Sequence, residues 1–198
     1  SKIEADKTYA KDLMRQASIP TADSRSFADI YAAKSYLLRG LDRELENEFK
    51  QELSKEVAAY IEWSSEREKN QELQFSEELQ AVLESREDPC VIKACGLAAG
   101  KGVIVCNTVS EAMHAIERVM VDREFGDAGK TVIIEEFMTG DEVSVLALVD
   151  GSTIWVLDLC QDHKQVGEGD VGPNTGGMGA FCPAPLLDDE MLEYVERE

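Results

Sequence analysis

Three stretches of the chain combine residue types that can do chemistry. The first is Lys93-Ala94-Cys95-Gly96-Leu97-Ala98-Ala99-Gly100-Lys101-Gly102. Here a strand-like run leads into a loop of small residues, with one lysine at the strand's exit and another in the loop. Small side chains let backbone N–H groups approach an anion, and the two ammoniums can neutralise phosphate oxygens. The stretch is no Walker loop, because GxxxxGK[ST] is absent and a strand follows rather than a helix. It is no dinucleotide fingerprint either. On this loop alone, a tight hairpin with incidental lysines stays open. The second stretch is Glu135-Glu136-Phe137-Met138, with Glu142 four residues on. Carboxylates at the end of a buried strand are costly unless paired, and backbone groups at a strand end can read an adenine edge. Solvated acids at a strand terminus are the competing reading. The third stretch is Gln161-Asp162-His163-Lys164, followed by Gly172-Pro173-Asn174-Thr175-Gly176-Gly177-Met178-Gly179. It sets a base, a titratable ring and a cation side by side, then supplies a glycine-rich loop able to close over a small ligand. His114, alone on an amphipathic helix, reads as surface or packing.

The elements that must position these residues can be read from periodicity. Asp6 is placed to cap a helix with Ala10, Leu13, Met14 and Ala17 inward, ended by Ile19-Pro20. Ser26-Phe27-Ala28-Asp29 resembles a capping box opening a second helix with Ile30, Ala33, Leu37 and Leu38 inward. Residues 41–88 differ from the rest: they hold 15 acidic and 6 basic residues, and no Gly or Pro. Leu41, Leu45, Phe49, Leu53, Val57 and Ile61 recur every fourth residue, and Leu73, Leu79, Val82 and Leu83 follow a polar break. The pattern predicts two amphipathic helices packed as a hairpin on the domain. A partner-binding or coiled-coil arm is the alternative reading, and four-residue spacing, which drifts around a helix faster than a heptad, weakens the coiled coil. Beyond Pro89, strands are predicted at 90–94, 102–106 and 131–137, with a helix capped by Ser110 between the second and third. Strands at 143–149 and 153–159 flank Asp150-Gly151, a hairpin signal. Six of the 14 glycines fall between 167 and 179, where the pattern loosens. The mixture of strand pairs and helices predicts an α+β fold.

Composition narrows the function. The chain has 198 residues and a formal net charge of −20. Such a charge repels phosphate backbones and anionic lipid, so nucleic-acid and membrane-surface binding are poor candidates. No apolar run is long enough for a transmembrane helix, and the first residues lack the apolar stretch of a signal peptide. The five cysteines have no CxxC spacing, which argues against a zinc site or a disulfide framework. A reducing, cytoplasmic setting fits best.

Taken together, VIKACGLAAGKGV at 91–103, FGDAGKTVIIEEFMTGDEVS at 125–144, QDHKQVGEGDVGPNTGGMGAFCPAP at 161–185 and ADKTYAKDLMRQASIPTA at 5–22 resemble the ATP-grasp ligases. Within them the match is to the glycinamide ribonucleotide synthetase (phosphoribosylamine–glycine ligase) family, over residues 1–40 and 89–198. The resemblance implies an ATP-grasp fold. Residues 1–137 would form its smaller lobe, with the acidic helical hairpin 41–88 inserted, and 138–198 the start of its larger lobe. It implies that Lys7 and Lys93 contact ATP phosphates and that Gly100, Lys101 and Gly102 belong to the loop covering them. Lys93 and Lys101 would assist catalysis. Glu135, Glu136, Phe137 and Met138 would be the hinge whose backbone reads adenine, and Glu142 would accept from the ribose hydroxyls. Asp162, His163 and Lys164, with Asn174, Thr175, Gly176, Gly177, Met178 and Gly179, would border the phosphoribosylamine and glycine site. The implied cofactors are ATP and Mg2+, with Mn2+ a possible substitute. The metal ligands are expected C-terminal to Glu198, with none in this chain.

Three departures from the family pattern stand out. Cys95 replaces the family's aspartate and sets a thiol near two lysines, a setting that lowers a thiol's pKa where it is exposed. Residues 41–88 exceed the usual short connection. The chain also lacks the family's N-terminal domain and metal-ligand segment, so it is expected to be a central fragment without turnover of its own. Two rival readings remain on sequence: another carboxylate–amine ATP-grasp ligase, and a binding module with a vestigial nucleotide site.

Overall fold

The computed structural model describes the chain apart from residues 1, 48, 49, 67–72, 99, 100, 170 and 198, and of residues 43, 44, 46, 47, 171, 173, 174, 189, 196 and 197 only the backbone. The chain divides into two compact units. One comprises Ser1–Ala98 with Gly102–Phe137; the other comprises Ala99–Lys101 with Met138–Glu198.

The first unit opens with α1 (Lys2–Ala5) and α2 (Lys7–Gln16). As expected, Asp6 caps α2, its Oδ1 accepting from the Tyr9 N–H at 3.0 Å. Strand β1 (Ser24–Phe27) follows. This corrects the reading of 26–29 as a capping box: Ser26 and Phe27 are strand, and Asp29 alone accepts from Ala32 N at 2.8 Å to open α3 (Ile30–Asn47). The helix runs straight through Gly40, so the acidic segment is not a two-helix hairpin. It comprises the second half of α3, then α4 (Gln51–Ser64) and α5 (Glu77–Ser85). Leu38, Leu41 and Leu45 of α3 meet Val57, Tyr60 and Trp63 of α4 and Leu79 and Leu83 of α5 in one apolar cluster. The predicted member Phe49 lies outside the described residues.

Strands β2 (Glu87–Ala94), β3 (Val103–Thr108) and β4 (Val132–Glu136) join β1 in an antiparallel sheet of order β1-β4-β2-β3. The β2–β3 register shifts between Glu87 and Cys90, where Pro89 has no N–H to give to a ladder. Between β3 and β4 runs α6 (Val109–Met120). Its cap is Thr108 rather than Ser110: Thr108 Oγ1 accepts from Glu111 N at 3.2 Å, and Glu111 Oε2 accepts from Asn107 N at 2.6 Å. Residues directly opposite in an antiparallel ladder share a face. Ile92 pairs with Ile134, Ala94 with Val132, and Cys90 with Cys106. These residues pack beneath Ala33 of α3 and Ala112, Ala115, Ile116 and Val119 of α6, forming the core of the unit.

In the second unit, β5 (Ala147–Asp150) and β6 (Thr153–Val156) make the expected hairpin, shorter than the apolar runs that flank it. Its two-residue loop is Gly151-Ser152, with Gly151 at φ +58°, a conformation that favours glycine. β7 (Gln161–Gly167) and β8 (Val171–Phe181) form a second antiparallel hairpin, and α7 (Asp189–Arg197) follows. The glycine-rich run 172–179 is therefore strand, not the closing loop that its composition predicts. Its pairing with β7 supplies the order that glycine itself does not encode.

Candidate nucleotide and substrate site

The face of the four-stranded sheet turned away from α3 and α6 carries the charged machinery of the first unit. By register, Lys93, Ile133 and Val103 share this face with Val91, Glu135 and Val105. Helix α2 covers its β1–β4 half. Thr8 Oγ1 lies 3.0 Å from Ser26 Oγ, and Arg15 donates to the Ser24 carbonyl at 2.6 Å. The β2–β3 half is more open, and Val105 is 45% exposed. At the junction, the buried Glu135 carboxylate takes Lys93 Nζ at 2.8 Å on one oxygen and Lys11 Nζ at 3.3 Å on the other. The pairing that a carboxylate on a buried strand requires is thus supplied twice. Lys11 is the residue that the motifs did not reveal. The available signal was its position four residues after Lys7, on the same face of α2.

Lys7 donates from Nζ to the carbonyls of Ala94 and Gly96, both at 2.8 Å. It ties α2 to the start of the glycine-rich loop, and burial lowers its pKa. Gly102 closes the other side: its carbonyl accepts from Ala94 N at 2.8 Å, and a Cβ there would stand 2.6 Å from Ala98 Cβ. Gly100 lies outside the described residues, and Lys101 is exposed. Glu136 is exposed, and its N–H donates to the Asp23 carbonyl at 2.9 Å. Phe137 and Met138, just past the end of β4, are exposed as well. A hollow of about 720 Å³ in this unit is lined by Arg25, Arg39, Glu135 and Glu136 but not by Lys93. His114 is exposed, with Nδ1 2.9 Å from the Ser110 carbonyl.

Cys95 is half-buried. Its sulfur lies 3.2 Å from Asp6 Oδ1, to which it donates, and 3.2 Å from Thr8 Oγ1. The Tyr9 N–H bond first, and the Cys95 thiol second, hold the Asp6 carboxyl below its ordinary value. A carboxyl lowered on folding adds stability above its unfolded pKa, and that stability is lost as pH falls through the folded pKa. The urea midpoints of the native chain and Asp6→Asn are therefore expected to differ at neutral pH and to converge in acid. A gap that persists in strong acid would refute this role.

In the second unit, Lys164 Nζ donates to Glu142 Oε1 and lies 3.6 Å from Asp162 Oδ2. The Glu142 hydrogen bond is the main cause of the raised Lys164 pKa. Three predicted residues thus meet in one ion cluster that places Glu142 beside the β7 residues. His163 lies opposite Gly179 and stacks on Phe181 at 5.8 Å between centroids. His163, Gln165, Gly167 and Met178 line a hollow of about 300 Å³. Asn174 pairs in register with Gln165, and Thr175 Oγ1 accepts from Gly177 N at 3.0 Å. Gly176, Gly177 and Gly179 are exposed. Among the described residues no three His, Cys, Asp or Glu side chains gather to hold a metal ion. No helix among the described residues is long and apolar enough to cross a membrane.

Comparison with known proteins extends this geometry. The sequence profile of the phosphoribosylglycinamide synthetase ATP-grasp (A) domain matches residues 47–198. A phosphoribosylamine–glycine ligase of Rhodopirellula baltica is 46% identical over 196 residues, covering 99% of this chain and 36% of that protein. The trifunctional purine biosynthetic protein adenosine-3 of Drosophila pseudoobscura is 39% identical over 197 residues, covering 100% of this chain and 11% of that protein. The chain thus spans about a third or less of the length of these relatives. The crystal structure of phosphoribosylamine–glycine ligase from Thermotoga maritima superposes with a TM-score of 0.63 at 27% identity, covering 98% of this chain and 38% of that one. D-alanyl-alanine synthetase A of Vibrio cholerae shares the fold, with a TM-score of 0.52 at 12% identity and coverage of 98% and 46%. The α+β architecture is that of ATP-grasp enzymes, and the chain belongs to the phosphoribosylglycinamide synthetase family through its ATP-grasp (A) domain.

Proposed function

We propose that this chain is the nucleotide-holding part of an ATP-dependent ligase that joins glycine to 5-phosphoribosylamine in purine biosynthesis. In that reaction the glycine carboxylate attacks the γ-phosphate of ATP, giving glycyl phosphate and ADP. The amine of phosphoribosylamine then attacks the glycyl carbonyl, and phosphate leaves. Charge builds on the transferred oxygens, so fixed cations are what the protein must supply. The observation that carries the reading is Lys93 on the more open sheet face, oriented by a buried Glu135 that Lys11 also neutralises. Val91, Val103 and Val105 offer an apolar floor beside it for the base. Lys7 and Lys101, with Gly100 and Gly102, would cover the phosphates. The segment Glu135–Met138, where the chain leaves β4, would read adenine through its backbone, and Glu142 would take the ribose. Asp162, His163, Lys164 and 174–179 would border glycine and phosphoribosylamine. Mg2+, or Mn2+ in its place, would accompany the nucleotide.

Calorimetric titration of the chain with Mg-ATP tests this directly. Saturable heat is expected with ATP and none with GTP, with no glycine-dependent ADP release from this chain alone. Equal binding of both nucleotides would overturn the adenine reading. Turnover by the chain would overturn its assignment as only part of the catalytic unit.

A further inference from the structure

Cys160 immediately precedes β7, and Cys182 immediately follows β8. The ladder between these strands pairs Gln161 with Phe181, so one step outward sets Cys160 opposite Cys182. The main-chain groups of Cys160 point the other way, to Ser144: N–H to carbonyl at 3.0 Å, and carbonyl to N–H at 2.7 Å. The 160/182 position is therefore a non-hydrogen-bonded antiparallel pair. Such pairs bring Cα atoms to about 4.5 Å, inside the roughly 4.4–6.8 Å span that a disulfide bridges. A further backbone bond, Ala184 N to Leu159 O at 2.7 Å, holds the far side. Both thiols aim at one acceptor, the Asp158 carbonyl, at 3.3 Å from Cys160 Sγ and 3.8 Å from Cys182 Sγ. The neighbouring Cys160 thiol is the main cause holding the Cys182 thiol up. Cys182 is exposed.

We propose that Cys160 and Cys182 are a dithiol modification site that exchanges with small-molecule disulfides of the glutathione class. Oxidation staples the open end of the hairpin carrying Asp162–Lys164 and 174–179. The exposed Cys182 thiolate attacks one sulfur of oxidised glutathione, and one glutathione leaves as thiolate. The Cys160 thiolate then attacks Cys182 Sγ, and the second glutathione leaves. Two protein thiols are oxidised, one glutathione disulfide is reduced to two thiols, and the two protein protons end on them. Because the Cys182 thiol is held up, exchange is faster in mildly alkaline than in neutral buffer. The inference rests on hairpin geometry and not on the ligase reading. The chain carries its own contrast: Cys90 and Cys106 also face each other across a ladder, but Cys106 is buried under α6 and its thiol is raised by Cys90 and burial.

The test is oxidised glutathione on the native chain, then alkylation, trypsin and non-reducing mass spectrometry. Lys164 is the last tryptic site before Arg197, so Cys160 and Cys182 fall in separate peptides, 131–164 and 165–197. The expected product is these two peptides linked, with Cys90 and Cys106 alkylated. Cys160→Ser should stop at a stable glutathione adduct on Cys182. Linked peptides that form only in urea would overturn the proposal. So would a native chain that stops at the adduct, or one that keeps both cysteines alkylated.

Discussion

Replacing Lys93 with methionine is expected to weaken Mg-ATP binding by about a hundredfold while leaving the chain folded. The first half of this expectation follows from charge. Hydrogen bonds to ionised groups contribute roughly 1.5–3 kcal/mol each, and a tenfold change in affinity corresponds to about 1.4 kcal/mol. In a chain of net charge −20, the loss of a fixed cation beside an anionic ligand is not made good by the general field. The second half follows from Glu135. Its side chain is only 8% exposed, but it keeps Lys11 at 3.3 Å when Lys93 is gone. Lys93→Met alone should therefore cost only about 1 kcal/mol of stability. Lys11→Met should behave alike, because Lys93 then remains. The double variant strands a buried carboxylate and should cost about 3 kcal/mol or more, beyond the sum of the singles. Urea unfolding of the three variants checks the second half, and calorimetry the first. Additive stabilities would show that the two lysines are not held through a shared carboxylate, and a Lys93→Met chain that binds ATP like the parent would show that Lys93 does not hold the nucleotide.

That shared carboxylate also marks how far the sequence could be read. Glu135 was legible as an acid needing a partner, because a strand of Val132, Ile133 and Ile134 predicts burial. Its second partner was not legible: Lys11 is one helical turn from Lys7, and nothing local says which strand α2 will cross. Glycine misled in two opposite ways. No helix is predicted to cross Gly40, yet Leu37, Leu38, Leu41 and Leu45 keep helical spacing across it, and burial of those leucines outweighs roughly 1 kcal/mol of helix propensity. The run 172–179 reads as loop because glycine has no strand propensity, and only its pairing with β7 makes it a strand. Strand β1 escaped because Ser24-Arg25-Ser26-Phe27 is short, polar and at an edge, where its ladder to β4 decides more than its composition. Conversely, β2, β3, β4 and α6 stood out, since their apolar periods match the faces that they bury. The Lys164, Glu142 and Asp162 cluster needed the tertiary structure, because twenty-two residues separate the acid on one side from the lysine.

A large stability effect from a single substitution is expected for Gly129→Ala. Gly129 lies in the 3-10 turn Gly126–Lys130, buried between two elements. A Cβ built there would stand 2.2 Å from the Val119 carbonyl oxygen and 3.2 Å from its carbon. Those are backbone atoms near the end of α6, so no side-chain rotation relieves the clash. The turn has no slack on its other side either. Gly96 N donates to the Ala128 carbonyl at 3.2 Å, and a Cβ on Gly96 would stand 2.8 Å from Ala128 Cα. Pushing the turn away from α6 therefore drives it into Gly96, whose carbonyl holds Lys7 Nζ. Overpacking of this kind costs about 3 kcal/mol, and here it also loosens the lysine that ties α2 to the loop. Gly40→Ala is the matched control. It adds the same methyl inside α3, with nothing within 4 Å, and should stabilise by up to about 1 kcal/mol. Thermal unfolding of the pair separates a tightly packed turn from a general intolerance of added methyls. A Gly129→Ala chain as stable as its parent would mean that α6 and the turn can separate without loss, and that the sheet rather than this contact fixes the loop.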